Sequence, residues 1–78
     1  MKTSVFLKKL QEELEENQAL SKETILKDLE NYDSISLLSV IAFADENFNQ
    51  QLDADEFKDM QTVSDLMKII GLENFEDD

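Results

Sequence analysis

Apolar side chains recur at three- and four-residue steps along most of this chain, and few residues interrupt that spacing. The 78-residue sequence contains no Pro and one Gly, the residues that most often end helices. The spacing predicts an amphipathic helix over residues 3–16, a second over 34–48 and a third beginning at Val63. The length allows one domain over residues 1–78. The expected fold class is therefore all-α.

Capping signals mark where several elements begin and end. Thr62 and Asp65 form a capping-box pattern at the start of the third helix. Three other residues are expected at caps: Ser21 before a short turn, Asp53 before a short helix, and Gly71 in a left-handed conformation after the third helix. Residues 73–78 are expected to form a frayed acidic tail.

The second predicted helix is more apolar than one core face requires. Nine of the fifteen residues from 34 to 48 are apolar. One stripe is expected to face the core: Leu37, Val40, Ile41, Ala44 and Phe48. A second edge lies beside it: Ile35, Leu38 and Ala42. The excess indicates either a surface that a partner or an apolar ligand covers, or a central helix that is contacted on several sides.

The composition excludes several classes of function. The chain contains no Cys and no His, so it has no disulfide, no thiolate metal site and no Ser-His-Asp or Cys-His catalytic group. Seven Lys residues against 19 acidic residues give a formal charge of −12, which disfavours nucleic acid and anionic membranes as partners. Residues 33–78 hold two of the Lys residues and twelve of the acidic ones. We therefore expect partners with basic protein surfaces.

No targeting segment is recognisable. The apolar run at residues 5–7 is followed by two lysines and is too short for a signal peptide or a membrane span. We expect a cytoplasmic, monomeric protein that does not insert into membranes.

Asp33-Ser34-Ile35, at the predicted start of the second helix, is the candidate site for chemistry. A helix N-terminus offers unpaired backbone N–H groups and the positive end of the helix dipole, which favour a phosphate group by roughly 0.3–1 kcal/mol. Asp33 and Ser34 are also common N-cap residues. On these three residues alone, a plain cap is the better explanation.

The spacing of motifs around this site resembles that of the acyl carrier proteins. That family has Asp-Ser-Leu at the start of helix II, a later acidic run that ends in Phe, and a Thr-Val/Ile-x-Asp start to the last helix. The corresponding segments here are Asp33-Ser34-Ile35, Asp45-Glu46-Asn47-Phe48 and Thr62-Val63-x-Asp65. The resemblance covers essentially the whole chain.

The resemblance implies a small four-helix bundle with three longer helices and one short helix. It also implies that Ser34, beside Asp33 and Ile35, receives 4′-phosphopantetheine from coenzyme A through a separate Mg-dependent phosphopantetheinyl transferase. The protein would then carry acyl groups as thioesters, as in fatty-acid biosynthesis, without being an enzyme itself. Acyl-transferring or condensing enzymes with basic docking surfaces would bind a set of eight residues: Ser36, Leu38, Ser39, Ala42, Asp45, Glu46, Asp55 and Glu56.

Two positions depart from the family pattern. Acids usually follow the modified serine two and five residues on, where this chain has Ser36 and Ser39. Because complementary charge sets encounter rate and partner choice, the change predicts a specialised carrier rather than the carrier of bulk fatty-acid synthesis. Ordinary drift with promiscuous partners is the alternative. The spacer Glu30-Asn31-Tyr32 is also one residue longer than usual and brings an aromatic ring near Ser34.

Three other functions remain open. An EF-hand-like calcium loop over residues 45–56 would use six oxygen ligands: Asp45, Asn47, Asn49, Gln51, Asp53 and Glu56. Against it, Gln50 occupies the position where the sharp turn needs Gly, and Phe48 continues a helical stripe. An aminoacyl or peptidyl carrier would share the serine site, and a plain helical adaptor would leave Ser34 bare.

Overall fold

Three α-helices frame the molecule in a computed structural model that describes residues 1–30 and 32–76. α1 spans Thr3–Glu13, α2 spans Ser34–Phe48 and α3 spans Val63–Ile70. Short 3₁₀ turns lie between and after the helices, at Leu26–Asp28, Ala54–Phe57 and Leu72–Asn74. No strand occurs within the described residues. The expected mostly helical fold is confirmed, and the segment expected as a short fourth helix contains the single 3₁₀ turn Ala54–Phe57.

The core lies where the helices face one another. Buried apolar side chains come from all three helices and from the segments between them: Phe6, Leu10, Leu14, Leu20, Leu26, Val40, Phe43, Ala44, Phe57, Met60, Val63, Leu66, Met67 and Ile70. The buried stripe of α2 differs from the predicted one, because Phe43 is buried whereas Leu37 and Ile41 are only half-buried. The Phe43 ring lies 5.8 Å from the Phe6 ring of α1, centroid to centroid.

α1 ends three residues earlier than the sequence predicts. Glu15 adopts a left-handed conformation with φ 54°, which no helix continues through. The backbone N–H of Glu15 donates to Glu12 O at 3.1 Å, and that of Glu16 donates to Gln11 O at 3.0 Å. These two bonds form a Schellman motif, in which Gly usually occupies the left-handed position.

The segment between α1 and α2 is attached to the start of α3. The backbone N–H of Leu26 donates to Gln61 O at 2.9 Å, and that of Val63 donates to Thr24 O at 3.0 Å. The expected cap at Ser21 is wrong, because the turn Leu26–Asp28 follows Ile25 as its N-cap. Ser21 instead closes a separate turn, in which its N–H donates to Thr24 Oγ1 at 2.9 Å.

The predicted caps of α3 are present. The backbone N–H of Asp65 donates to Thr62 Oγ1 at 3.1 Å, and the N–H of Thr62 donates to Asp65 Oδ2 at 3.1 Å. The N–H groups of Gln61 and Thr62 are the main reason that the pKa of Asp65 is lowered. Gly71 follows α3 with a positive φ of 118°, as expected, but its ψ of 116° lies outside the left-handed helical region.

The C-terminal segment is docked on the core through residue 76, so the expected frayed tail is wrong for residues 73–76. The Phe75 ring lies 4.8 Å from the Phe6 ring and 5.1 Å from the Phe48 ring, centroid to centroid. The three rings join α1, the end of α2 and the C-terminal segment. Aromatic contacts of this kind stabilise the folded state beyond the area that they bury.

Backbone hydrogen bonds hold the same segment against the first residues of the chain. The N–H of Glu76 donates to Met1 O at 2.8 Å, and the N–H of Thr3 donates to Glu76 O at 2.9 Å. Thr3 Oγ1 also donates to Glu76 O at 3.0 Å. The last two residues of the predicted tail, Asp77 and Asp78, lie outside the described residues.

Candidate modification site at the start of α2

Asp33 caps α2 and fixes its first turn. Its backbone is extended, with φ −141° and ψ −167°, and the helix begins at the next residue. Asp33 Oδ1 accepts hydrogen bonds from the backbone N–H of Ser36 at 3.0 Å and from Ser36 Oγ at 3.2 Å. In return, the backbone N–H of Asp33 donates to Ser36 Oγ at 3.3 Å. This reciprocal pair satisfies polar groups that a helix otherwise leaves unpaired at its start.

The same contacts stabilise the ionised carboxylate. The hydrogen bond from the backbone N–H of Ser36 is the largest cause that lowers the pKa of Asp33, and slight desolvation opposes it. A negative charge at this position also interacts favourably with the helix dipole. Asp33 is therefore a carboxylate at neutral pH, directly before Ser34 in the chain.

Ser34 is the first residue of α2, and its side chain is exposed. Among the residues that the structure describes, none forms a hydrogen bond with the Ser34 hydroxyl. Because Asp33 supplies the cap, the capping explanation is correct for Asp33 and wrong for Ser34. The Ser34 hydroxyl is therefore an exposed group at a helix N-terminus and does not cap the helix.

An exposed apolar stripe follows Ser34 along α2 and consists of Ile35, Leu38 and Ala42. Ile35 is 70% exposed, Leu38 is 63% exposed, and Ala42 is exposed as well. Steps of three and four residues place these side chains on one face of the helix. The predicted second edge of α2 is therefore a solvent-facing surface beside the candidate site.

A shallow depression of about 170 Å³ lies between the end of α1 and the start of α2. Its lining comes from both helices and from the residues that flank them: Glu13, Leu14, Glu15, Asp33, Ile35, Ser36 and Ser39. Ser36 and Ser39 are half-buried at its α2 side. The carboxylates around the depression belong to the end of α1 and to Asp33, because α2 itself supplies only hydroxyl and apolar groups here.

Two of the predicted docking acids, Asp45 and Glu46, lie far from Ser34 along α2. Asp45 and Glu46 are exposed near the end of α2, and eleven helical residues at 1.5 Å each place Asp45 about 16 Å along the axis from Ser34. Asp55 and Glu56 are exposed in the following turn, Ala54–Phe57. Ser36, Leu38 and Ser39 lie within about 8 Å of Ser34 along the helix axis and Ala42 about 12 Å from it, so the predicted partner-binding residues of α2 extend from the site toward the acids at the end of the helix.

The geometry of residues 45–56 differs from that of an EF-hand calcium loop. Asp45 and Asn47 lie within α2, where their side chains cannot wrap around an ion as loop ligands do. Asn47 Nδ2 donates to Phe43 O at 3.0 Å, so this amide bonds to its own helix. Asn49 ends α2 in a left-handed conformation with φ 54°. In the described ranges, no group of three or more acidic residues is arranged to hold a metal ion.

The aromatic ring expected near the site is half-buried. The backbone N–H of Tyr32 donates to Leu29 O at 3.1 Å, and burial raises the pKa of the Tyr32 phenol. The predicted long spacer includes Asn31, which lies outside the described residues.

The role of Ser36 in the cap is the feature that sequence reasoning missed. Ser36 was expected only on the docking surface, as the replacement of an acid. The Asp-x-x-Ser spacing from Asp33 to Ser36 is a signal that could have indicated the reciprocal cap, because it matches a capping box with Ser in the usual Glu or Gln position.

No helix in residues 1–30 or 32–76 is both long enough and apolar enough to cross a lipid bilayer. No protein-family model, curated protein or solved structure matches this chain.

Proposed function

We propose that this chain is an acyl carrier protein that carries 4′-phosphopantetheine on Ser34. The observation that carries the proposal is the arrangement of two adjacent residues at the start of α2. Asp33 caps the helix, and Ser34 is the first helical residue, with its side chain exposed. This arrangement fits a phosphodiester, because a helix N-terminus favours an anionic group and an exposed hydroxyl is accessible to a separate enzyme.

In the proposed modification, Ser34 Oγ is the nucleophile and coenzyme A is the donor. A bond forms between Ser34 Oγ and the phosphorus that bears the pantetheine arm, and the bond from that phosphorus to the bridging pyrophosphate oxygen breaks. Adenosine 3′,5′-bisphosphate leaves, and the hydroxyl proton passes to a base of the Mg-dependent phosphopantetheinyl transferase. When bound, the group supplies the thiol on which acyl chains are carried as thioesters, so the chain needs no catalytic residue of its own.

The proposal includes a four-helix bundle in which the segment around Ala54–Phe57 takes the place of the short helix. Support comes from packing, because this turn contacts both α2 and α3, and Phe57 and Met60 are buried in the common core. The proposed partners are the transferase and acyl-transferring or condensing enzymes with basic docking surfaces. They would meet a monomeric carrier in the cytoplasm.

The test is the intact mass of the protein after incubation with coenzyme A, Mg²⁺ and a broad-specificity phosphopantetheinyl transferase. We expect a gain of one phosphopantetheine unit in the wild type and none in Ser34→Ala. Ser64→Ala is the matched control, because Ser64 is another serine in the first turn of a helix, and this variant should still gain the unit. An unmodified wild type, or modification that survives in Ser34→Ala, would contradict the assignment.

We also propose that the carrier is specialised. Support comes from the surroundings of Ser34, where Ser36 and Ser39 stand in place of docking acids and the acids of α2 lie near its far end. Partners built to read acids beside the arm should therefore bind this chain weakly.

Elongation rates by standard fatty-acid synthase components test the specialisation. We compare the loaded wild type with Ser36→Asp/Ser39→Glu, and expect slow elongation of the wild type and faster elongation of the variant. Ser39→Glu alone adds a negative charge and leaves the hydrogen bonds between Asp33 and Ser36 intact. It therefore separates the effect of added charge from the effect of a changed helix cap. Fast elongation of the wild type with no gain in either variant would show that the standard enzymes do not need these charges.

A further inference from the structure

We infer that Ser36 is a positioning residue for Ser34, because the reciprocal bonds between Ser36 and Asp33 hold the first turn of α2 in the conformation that presents the Ser34 hydroxyl. This inference rests on the proposed function and adds a residue to it. On the sequence alone, Ser36 is only a serine at a position where the family usually has an acid that partners recognise.

Ser36 is joined to Asp33 by three hydrogen bonds that enclose the two residues between them. Ser36 N–H and Ser36 Oγ both donate to Asp33 Oδ1, at 3.0 Å and 3.2 Å. Ser36 Oγ also accepts the Asp33 N–H at 3.3 Å. Ser34 and Ile35 therefore lie in a closed turn whose ends are fixed to each other.

Packing cannot replace these bonds, since the enclosed residues have little contact with the core. Ile35 is 70% exposed and Ser34 is exposed. The first half-buried apolar residue of the helix is Leu37, whose N–H donates to Asp33 O at 3.1 Å. The order of the turn before Leu37 thus depends on the cap.

Removing the Ser36 hydroxyl removes two of the three bonds. The Ser36 N–H can still donate to Asp33 Oδ1, but the Asp33 N–H loses Ser36 Oγ as its acceptor. Loss of a complete helix cap changes the opening equilibrium of the first turn by about fivefold or more, so loss of the two Oγ bonds alone should change it by about two- to fivefold. A transferase that must place Ser34 Oγ against the phosphorus of coenzyme A would then meet a turn that is open more often, and misplacement of a reacting group lowers rate.

A variant that restores the hydroxyl at position 36 distinguishes a positioning role of Ser36 from a general loss of protein stability. The experiment measures kcat/KM for attachment of phosphopantetheine, together with amide hydrogen exchange at residues 36, 37 and 40–44. For Ser36→Ala we expect kcat/KM to fall and exchange at residues 36 and 37 to rise, each by about two- to fivefold, with residues 40–44 unchanged. Ser36→Thr should restore both readouts, and Ser64→Ala should leave both unchanged.

A double-mutant cycle shows whether Asp33 and Ser36 act as a unit. If they do, Ser36→Ala should have little further effect on the rate in an Asp33→Ala background. Wild-type kcat/KM in Ser36→Ala, or additive effects in the cycle, would overturn the positioning role while leaving Ser34 as the modified residue. A wild type that gains no phosphopantetheine would instead refute the proposed function, and the positioning role with it.

Discussion

Replacement of Phe75 by Ala should destabilise the whole domain, because its ring joins the C-terminal segment to α1 and α2. Its ring is half-buried and contacts the rings of Phe6 and Phe48 at 4.8 Å and 5.1 Å. The substitution removes roughly 100 Å² of buried apolar surface, since the ring is half-buried. At about 25 cal/mol per Å², the free energy of unfolding falls by about 2.5 kcal/mol. Partial relaxation of the neighbouring side chains and a compact unfolded state lower this value, so we expect about 2 kcal/mol.

That loss is large for a chain of this length. A 78-residue domain has a free energy of unfolding of roughly 4–12 kcal/mol. A loss of about 2 kcal/mol should lower Tm by roughly 8–16 °C. Urea and thermal unfolding, followed by far-UV circular dichroism, measure both quantities, and near-UV circular dichroism reports the aromatic cluster directly.

Two variants of the same segment act as controls. Leu72→Ala removes a side chain that is 57% exposed and should cost less than about 1 kcal/mol. Phe75→Leu keeps apolar bulk but loses the ring contacts, so its cost should be intermediate. The reasoning fails if Phe75→Ala unfolds within about 0.5 kcal/mol of the wild type, or if Leu72→Ala is equally destabilising.

Three further predictions follow from backbone geometry and capping. Gly71→Ala should cost about 1–3 kcal/mol in urea unfolding, because φ is 118°, a backbone conformation that residues with a Cβ rarely adopt; an unchanged midpoint would refute this. Glu15→Gly should stabilise by about 0.5 kcal/mol, because Gly tolerates the left-handed φ of 54°, whereas an equal gain in Glu15→Gln would assign the effect to charge. Hydrogen bonds lower the folded-state pKa of Asp33 and Asp65 below the usual 3.8, so their stabilisation is present above that pH and is lost as pH falls through the lower folded values. The difference in urea midpoint between wild type and Asp65→Asn should therefore shrink below about pH 4, and a constant difference would contradict it.

Local signals were sufficient to predict α2 and the start of α3. An Asp at the N-cap and a dense apolar run define residues 34–48, and the capping box of Thr62 and Asp65 defines where α3 begins. The end of α1 was not predictable in the same way. Residues 12–16 include four glutamates, which favour helix, and the left-handed position is occupied by Glu15 rather than Gly.

The docking of the C-terminal segment depends on contacts between residues far apart in the chain. An acidic tail with one Phe predicts disorder when its neighbours are unknown. Phe75 is ordered because Phe6 and Phe48 offer ring contacts from α1 and α2. The sequence of residues 73–76 alone therefore does not predict that Phe75 packs against these two rings.

The candidate site was predicted in its position but not in its internal contacts. Sequence placed Asp33 and Ser34 at a helix start and left open which of them is the cap. The structure assigns the cap to Asp33 and adds Ser36 as its partner. The choice depends on side-chain hydrogen bonds, which residue type and spacing alone do not fix.

The separation between the site and the acids of α2 limits what those acids can do. At physiological ionic strength the Debye length is about 8 Å, and Asp45 lies about 16 Å from Ser34 along the helix axis. The charges of Asp45 and Glu46 are therefore screened from the Ser34 hydroxyl and cannot tune its reactivity. In the proposed function they would instead attract a basic partner, with Ile35 and Leu38 supplying apolar contact near the site. Such a partner would need a footprint of about 16 Å or more along α2 to contact both regions.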